Sequence, residues 1–212
     1  MRELLRENYL QELLHWKNDR FIKVLTGIRR RGKSTILNQY KELLIRDFNI
    51  KKEQIIEYDF NDPNKQNISY LDLYNEIVKK ANKDLTYYVF LDEIQEIYKW
   101  ERCVIGLFEN KKIRFDVYIT GSNSKLLSTE LSTLLTGRHK DFHIFPISFQ
   151  QMSDFFKKES ELFFNLYLCN GGLGMSVDKY FDNTKLEPTL HDVFENTINQ
   201  DVKYRHNIKS HN

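Results

Sequence analysis

A three-layer α/β fold with five parallel strands and a helical C-terminal appendage is predicted by three observations. Five short runs rich in β-branched and aromatic residues alternate with stripes of helical period. A glycine-bounded basic loop joins the first run to a helix, and two carboxylates close a run that is otherwise almost wholly apolar. Strands alternating with helices bury both faces of a parallel sheet, which is why such strands read as continuous apolar runs.

The elements follow in order. Leu4-Leu5, Tyr9-Leu10, Leu13-Leu14 and Trp16 recur at helical spacing, so residues 3–17 are expected to form an amphipathic helix. Phe21 to Thr26 is a short strand ended by Gly27, and a helical stripe runs from Lys33 through Ile36-Leu37, Tyr40 and Leu43-Leu44 to about Asp47. Gln54 to Asp59 makes a second strand, broken by Asn61-Asp62-Pro63-Asn64. Ser69 caps a helix carrying Leu73-Tyr74, Ile77-Val78 and Ala81. Leu85 to Leu91 is the apolar strand, Trp100 to Phe108 a helix, Phe115 to Thr120 a fourth strand stopped by Gly121, and Lys140 to Phe145 a fifth, ended by Pro146.

Beyond Pro146 the pattern changes. Ser148 and Gln151 have capping-box spacing, Leu162 to Leu168 continues as helix until Gly171-Gly172-Leu173-Gly174, and Leu190 to Val202 carries a last helical stripe. The expected organisation is a core over 1–147 and a helical, lid-like region over 148–212.

Composition narrows the function. The 212 residues hold 32 Lys+Arg against 30 Asp+Glu, a net charge of +2, which excludes a protein working by overall basicity. Hydrophobic residues at 41% exclude global disorder. Cys103 and Cys169 lie far apart, against a disulfide scaffold or thiolate zinc site, and fit a reducing compartment. No window approaches a membrane span and no apolar leader opens the chain, so a soluble, cytoplasmic protein is expected. The charge is uneven: residues 1–35 sum to +5, and four of those cations fall between Gly27 and Thr35, where there is no acid. Such a concentration points to a bound anion.

Gly27-Ile28-Arg29-Arg30-Arg31-Gly32-Lys33-Ser34 fits G-x-x-x-x-G-K-[ST] at every fixed position, between a strand and a helix. Gly27 and Gly32 allow close backbone approach, and the loop amides with the helix N-terminus face phosphates. Lys33 is expected to reach the β- and γ-phosphates of a nucleotide, Ser34 to ligate Mg2+, and Thr35 to meet the α-phosphate. The competing reading, a basic turn that binds nothing, is weakened by the strand–helix context. Arg30 and Arg31, with Arg29, are candidates to clasp phosphate, while plain solvated arginines account for at least two of the three.

Asp92 and Glu93 end the apolar strand, on the rim where ligands bind in such sheets. Asp92 is expected to hold Mg2+ through a water, and Glu93 to orient and deprotonate the attacking water. Alone the pair is an ordinary acidic turn; beside the loop it is a catalytic candidate. Ser122 and Asn123, after the next strand, are candidates to sense the γ-phosphate, with an N-cap as the other reading. Arg138, opening the fifth strand, is a candidate to supply transition-state charge in cis or from a neighbour, with a surface salt bridge as the alternative. The chain lacks D-x-x-G and N-K-x-D, which makes ATP the expected nucleotide rather than GTP. His139 and His143 have zinc-like spacing but lie on a strand with no third ligand, and the Gly171 to Gly174 cluster follows a helix, as a hinge or loop does.

With these residues in hand, the chain resembles a family of prokaryotic AAA-type ATP-binding proteins. The matching stretches are Ile22 to Arg30, Asp92-Glu93-Ile94-Gln95, Ile119 to Ser124, Leu135-Thr136-Gly137-Arg138 and Pro146-Ile147-Ser148-Phe149, with Asp201 and Tyr204-Arg205-His206 more loosely. The resemblance implies a P-loop NTPase core with a small helical region, ATP and Mg2+ as ligands, and functional roles for Asp92, Glu93 and Arg138. It also implies a further C-terminal domain, which would begin about where this sequence stops. Arg31 and Gly174 depart from the family, which usually has a small residue and a proline there. The expected function is Mg2+-dependent ATP binding and hydrolysis that controls a protein partner or a second copy, with DNA left open. The alternative is an ATP-binding switch that turns over slowly or not at all.

Overall fold

The most apolar run of the sequence forms the centre of a sheet because residues 87–92 are buried on both faces. In the computed structural model, which describes residues 3–65, 67–121, 135, 137–174, 177 and 180, it becomes a strand, Thr86–Asp92. Five strands form one parallel sheet: β1 (Ile22–Thr26), β2 (Ile55–Asp59), β3 (Thr86–Asp92), β4 (Arg114–Gly121) and β5 (His139–His143). Their order across the sheet is β2-β3-β4-β1-β5. β4 therefore stands between the strand that leads into the basic loop and the strand that ends in the acidic pair.

Strand residues alternate between two cores, as a pleat requires. Val24, Tyr87, Val89, Leu91, Val117 and Ile119 face one side, against α3 (Tyr70–Lys79) and α4 (Trp100–Phe108). Leu25, Tyr88, Phe90, Tyr118 and Phe142 face the other, against α1 (Glu7–His15) and α2 (Lys33–Phe48). The three layers predicted from sequence are present. Each buried Leu or Ile on these helices contributes about 1.5–3 kcal/mol relative to solvent exposure.

The boundaries differ where side chains decide them. The first helix covers Glu7–His15 rather than 3–17, because the residues before it serve as an anchor. Leu4 is buried, and the Arg6 amide donates to Gln39 Oε1 of α2. β5 begins one residue earlier than its alternation suggested and ends at His143, leaving Phe145 exposed. Ser69 caps α3, accepting from the Asp72 amide at 3.1 Å.

By its contacts the chain divides into two units, residues 1–27 with 33–144, and residues 28–32 with 145–212. The second unit contains α5 (Phe149–Phe156) and α6 (Glu161–Asn170). Ser148 and Gln151 form the capping box that starts α5. Phe149, Phe156, Phe163 and Tyr180 pack as a ring cluster with centroids 5.6–6.0 Å apart. Gly171, with φ of 65°, ends α6, and Gly172 lies where a Cβ would fall 1.9 Å from the Ile147 carbonyl oxygen. The stripe over 190–202 lies outside the described residues.

Candidate functional site

The C-terminal ends of β1, β3 and β4 bring the strongest candidates together. β1 ends at Thr26, and Gly27 follows with φ of 150°. A Cβ there would stand 2.6 Å from the carbonyl oxygen of Ile144, so only glycine lets the chain leave the sheet this way. The loop interior, residues 28–32, groups by its contacts with the second unit; within it Arg30 is exposed with φ of 67°, and Gly32 has φ of 88°. Arg31 is half-buried. Lys33 then opens α2, with Ser34 and Thr35 exposed in its first turn. The amides of that turn have no partner within the helix, and its dipole favours negative charge there.

Lys33 is buried, yet its ammonium turns back to the rim. It donates to the Gly27 carbonyl at 3.0 Å and stands 3.3 Å from Glu93 Oε1. Glu93 follows β3 in the left-handed region, at φ of 52°. That backbone is costly for a non-glycine residue and is found where the surroundings over-determine a side chain's direction. Gln95 Nε2 donates to the other carboxylate oxygen, Oε2, at 2.5 Å. The Glu93 carboxylate is thus held from both sides, by the loop lysine and by Gln95.

Asp92 lies within the last turn of pleat, opposite Asp59 of β2. Its carboxylate accepts from Thr120, and the Ser34 hydroxyl also bonds to it. Burial pushes the Asp92 carboxyl above the usual carboxylate range. The bonds from Ser34 and Thr120 pull it back down, while the nearby Glu93 and Asp59 charges add to the rise. A carboxylate in this position gains from a cation. The donors that meet here, a hydroxyl and a carboxylate, are hard oxygen ligands of the kind Mg2+ takes.

Thr120 was not assigned a role from sequence, although it ends β4 on the same rim. It is fully buried, donates to Asp92 and accepts from the Glu93 amide at 3.0 Å. One hydroxyl therefore fixes both acids. Gln95 was likewise visible only as part of a matching stretch. Its signal was its place two residues beyond Glu93, where a short 3-10 turn (Ile94–Glu96) folds it back.

One described candidate, Arg138, is not brought to this rim. Ser122 and Asn123 lie outside the described residues. Arg138 precedes β5, and its carbonyl accepts from the amide of Ile22 at the start of β1. It therefore lies about 16 Å from the loop, five residues of strand at about 3.3 Å each. There its guanidinium pairs with Glu109 at 3.1 Å, the surface bridge of the two readings. Of the two histidines, His143 Nδ1 meets the Thr26 hydroxyl at 2.7 Å, and His139 Nε2 pairs with Asp141 at 3.3 Å.

Comparison with known proteins bears on the family and the fold. A family model described as "AAA domain" matches residues 19–153. A protein of Haemophilus influenzae is 32% identical over 211 residues, which is 96% of this chain and 52% of that one. A protein of Methanocaldococcus jannaschii is 32% identical over 202 residues, 89% of this chain and 43% of that one. The chain thus spans about half the length of these curated relatives. Among solved structures, a Walker-type ATPase of Pyrococcus abyssi superposes with a TM-score of 0.63 at 14% identity, over 97% of this chain and 76% of that one. A DNA polymerase III gamma subunit-related protein of Thermotoga maritima gives 0.53 at 14% identity, over 82% and 57%. Cdc6p from Pyrobaculum aerophilum gives 0.50 at 15%, over 74% and 50%. At these identities the likeness is one of fold.

Proposed function

The chain belongs to the AAA domain family, and from that premise we propose that it binds ATP with Mg2+ and hydrolyses it to ADP and phosphate. The observation that carries this reading is the meeting of Lys33, Glu93 and the Ser34–Asp92 pair on one rim. Lys33 binds the terminal phosphates; Ser34 and Asp92 hold the Mg2+. That ion, when bound, offsets phosphate charge as it builds in transfer.

In the structure the Lys33 ammonium is shared between the Gly27 carbonyl and Glu93. An arriving triphosphate competes for that ammonium as the stronger anion. Glu93 is then left with its Gln95 bond and a free oxygen, with which it accepts a proton from the attacking water. Thr120 keeps both acids in register throughout, because it bonds to one side chain and to the other's amide. In this reading the nucleotide state governs a protein partner or a second copy of the chain. Arg138 is too far from its own loop to join the site in cis, so any contribution to phosphoryl transfer is made to a neighbouring copy.

Phosphate release from ATP by the purified chain, beside its Glu93→Gln variant, tests the proposal. Removing a general base costs about 10²- to 10⁴-fold in turnover. The variant is expected to lose turnover by that order while still binding ATP. Equal rates in the two proteins would sink the role of Glu93. Tight ATP binding without turnover in the unmodified chain would replace hydrolysis with a switch.

A further inference from the structure

The opposite ends of the strands carry a second concave site, which the nucleotide chemistry does not use. A cleft of about 840 Å³ opens there, walled by the segment before β1, the α4–β4 turn and the first residues of β4. Five exposed cations line it: Arg20, Lys83, Lys111, Lys112 and Arg114. Its acids are largely engaged elsewhere. Asp116 is held by the Lys23 ammonium at 2.5 Å, the Asn18 amide at 2.8 Å and the Tyr118 hydroxyl at 2.9 Å. Glu109 pairs with Arg138. Asp19 is left against five cations, in a chain whose net charge is only +2.

The turn that presents two of the lysines is built rather than loose. Asn110 Oδ1 accepts from the amides of Lys112 and Ile113, both at 2.9 Å, and its Nδ2 donates to the Tyr74 hydroxyl at 3.3 Å. Arg114 donates to the Asn18 carbonyl at 2.6 Å and so ties one wall to the other. Between the cations, half-buried Phe21 and Phe115 contribute apolar lining. Like charges gathered on low-dielectric walls focus a positive potential into the cleft. Apolar rings between them suit a ligand that alternates phosphates with flat faces. The volume is that of a small-ligand site, so it takes a few unpaired nucleotides and not a duplex lying along it.

We propose that this cleft binds single-stranded nucleic acid. Backbone phosphates lie at Lys111, Lys112, Lys83 and Arg20, and bases lie against Phe21 and Phe115. It stands about 16 Å from the phosphate loop, one strand length away, so both sites can be filled together.

Fluorescence anisotropy of a labelled oligothymidylate, titrated with the full chain at several salt concentrations, tests this. Affinity is expected to fall with salt at a slope of about −0.7 per phosphate engaged. Exchanging both lysines of the exposed turn, Lys111→Glu with Lys112→Glu, is expected to weaken binding at least about tenfold and to flatten the slope by about 1.4. Lys83→Glu, on another wall, is expected to weaken it as well, and thermal melting should confirm that the variants stay folded. Unchanged binding in the double variant would overturn the proposal. So would displacement of the oligonucleotide by saturating Mg·ATP, which would put it on the phosphate loop. Equal competition by inorganic tripolyphosphate, or tighter binding of a duplex of the same sequence, would overturn the single-strand assignment.

Discussion

At the C-terminal ends of the strands, Lys33 stands 3.3 Å from Glu93, Asp92 sits beside two further acids, and the Glu93 backbone is left-handed. At the N-terminal ends of the same sheet, Lys23 is fully buried on Asp116, and every oxygen of that carboxylate is engaged. The Lys23 ammonium also donates to the Asp19 carbonyl at 3.0 Å, and the Tyr118 hydroxyl meets that of Tyr40 at 3.0 Å. Both ends bury a lysine near a carboxylate. One pair is closed off by the protein; the other lies on the strand rim, where the proposed function puts a nucleotide. The difference teaches that burial of charge alone does not mark a site. What sets the rim apart is burial among further acids, with a left-handed backbone at Glu93, beside a helix N-terminus.

The largest expected effect lies at the structural end. Asp116→Ala leaves the Lys23 ammonium in the core without its counter-charge, and breaking a buried pair in this way costs about 3–5 kcal/mol. That is a large share of the stability of a typical domain. Urea unfolding is expected to show the loss. Lys23→Met added to Asp116→Ala should recover much of it, because an apolar pair needs no partner. A small loss in the single variant would mean that the two ends are not as different as described.

At the functional end the sign reverses. The Asp92 carboxyl is held above its ordinary range, so the folded protein binds that proton more tightly than the unfolded chain does. Its contribution to stability is full below the ordinary carboxylate value and is lost as pH rises through the raised one. Asp92→Asn is therefore expected to raise the melting temperature of the nucleotide-free protein at neutral pH and to remove that acid-side slope, while turnover falls. Melting curves across pH check this. A variant less stable than the parent at pH 7 would show that Asp92 is satisfied by its neighbours after all.

Much of this was legible in the sequence because it is local. The glycines at 27 and 32, the lysine and hydroxyls that follow, and the caps at Ser69 and Ser148 each depend on residues within one turn. The acidic pair was legible because an apolar run must end on a rim. Strand order was not, since nothing local says that β4 lies between β1 and β3. The same limit hid Thr120, whose role exists only because β4 neighbours β3, and Lys23. From the sequence alone that lysine had no place beyond membership of β1. Only the register that sets it beside Tyr118, two residues from Asp116, makes it a core residue. The cleft was hidden for the same reason, being assembled from segments some ninety residues apart in the chain.

Calorimetric titration of ATP with Mg2+ into the unmodified chain, its Lys33→Ala variant and the Lys111→Glu, Lys112→Glu double variant tests the division between the two ends most directly. The account predicts saturable binding in the unmodified chain, its loss in Lys33→Ala, and unchanged affinity in the double variant. ATP bound as tightly by Lys33→Ala as by the unmodified chain would contradict it.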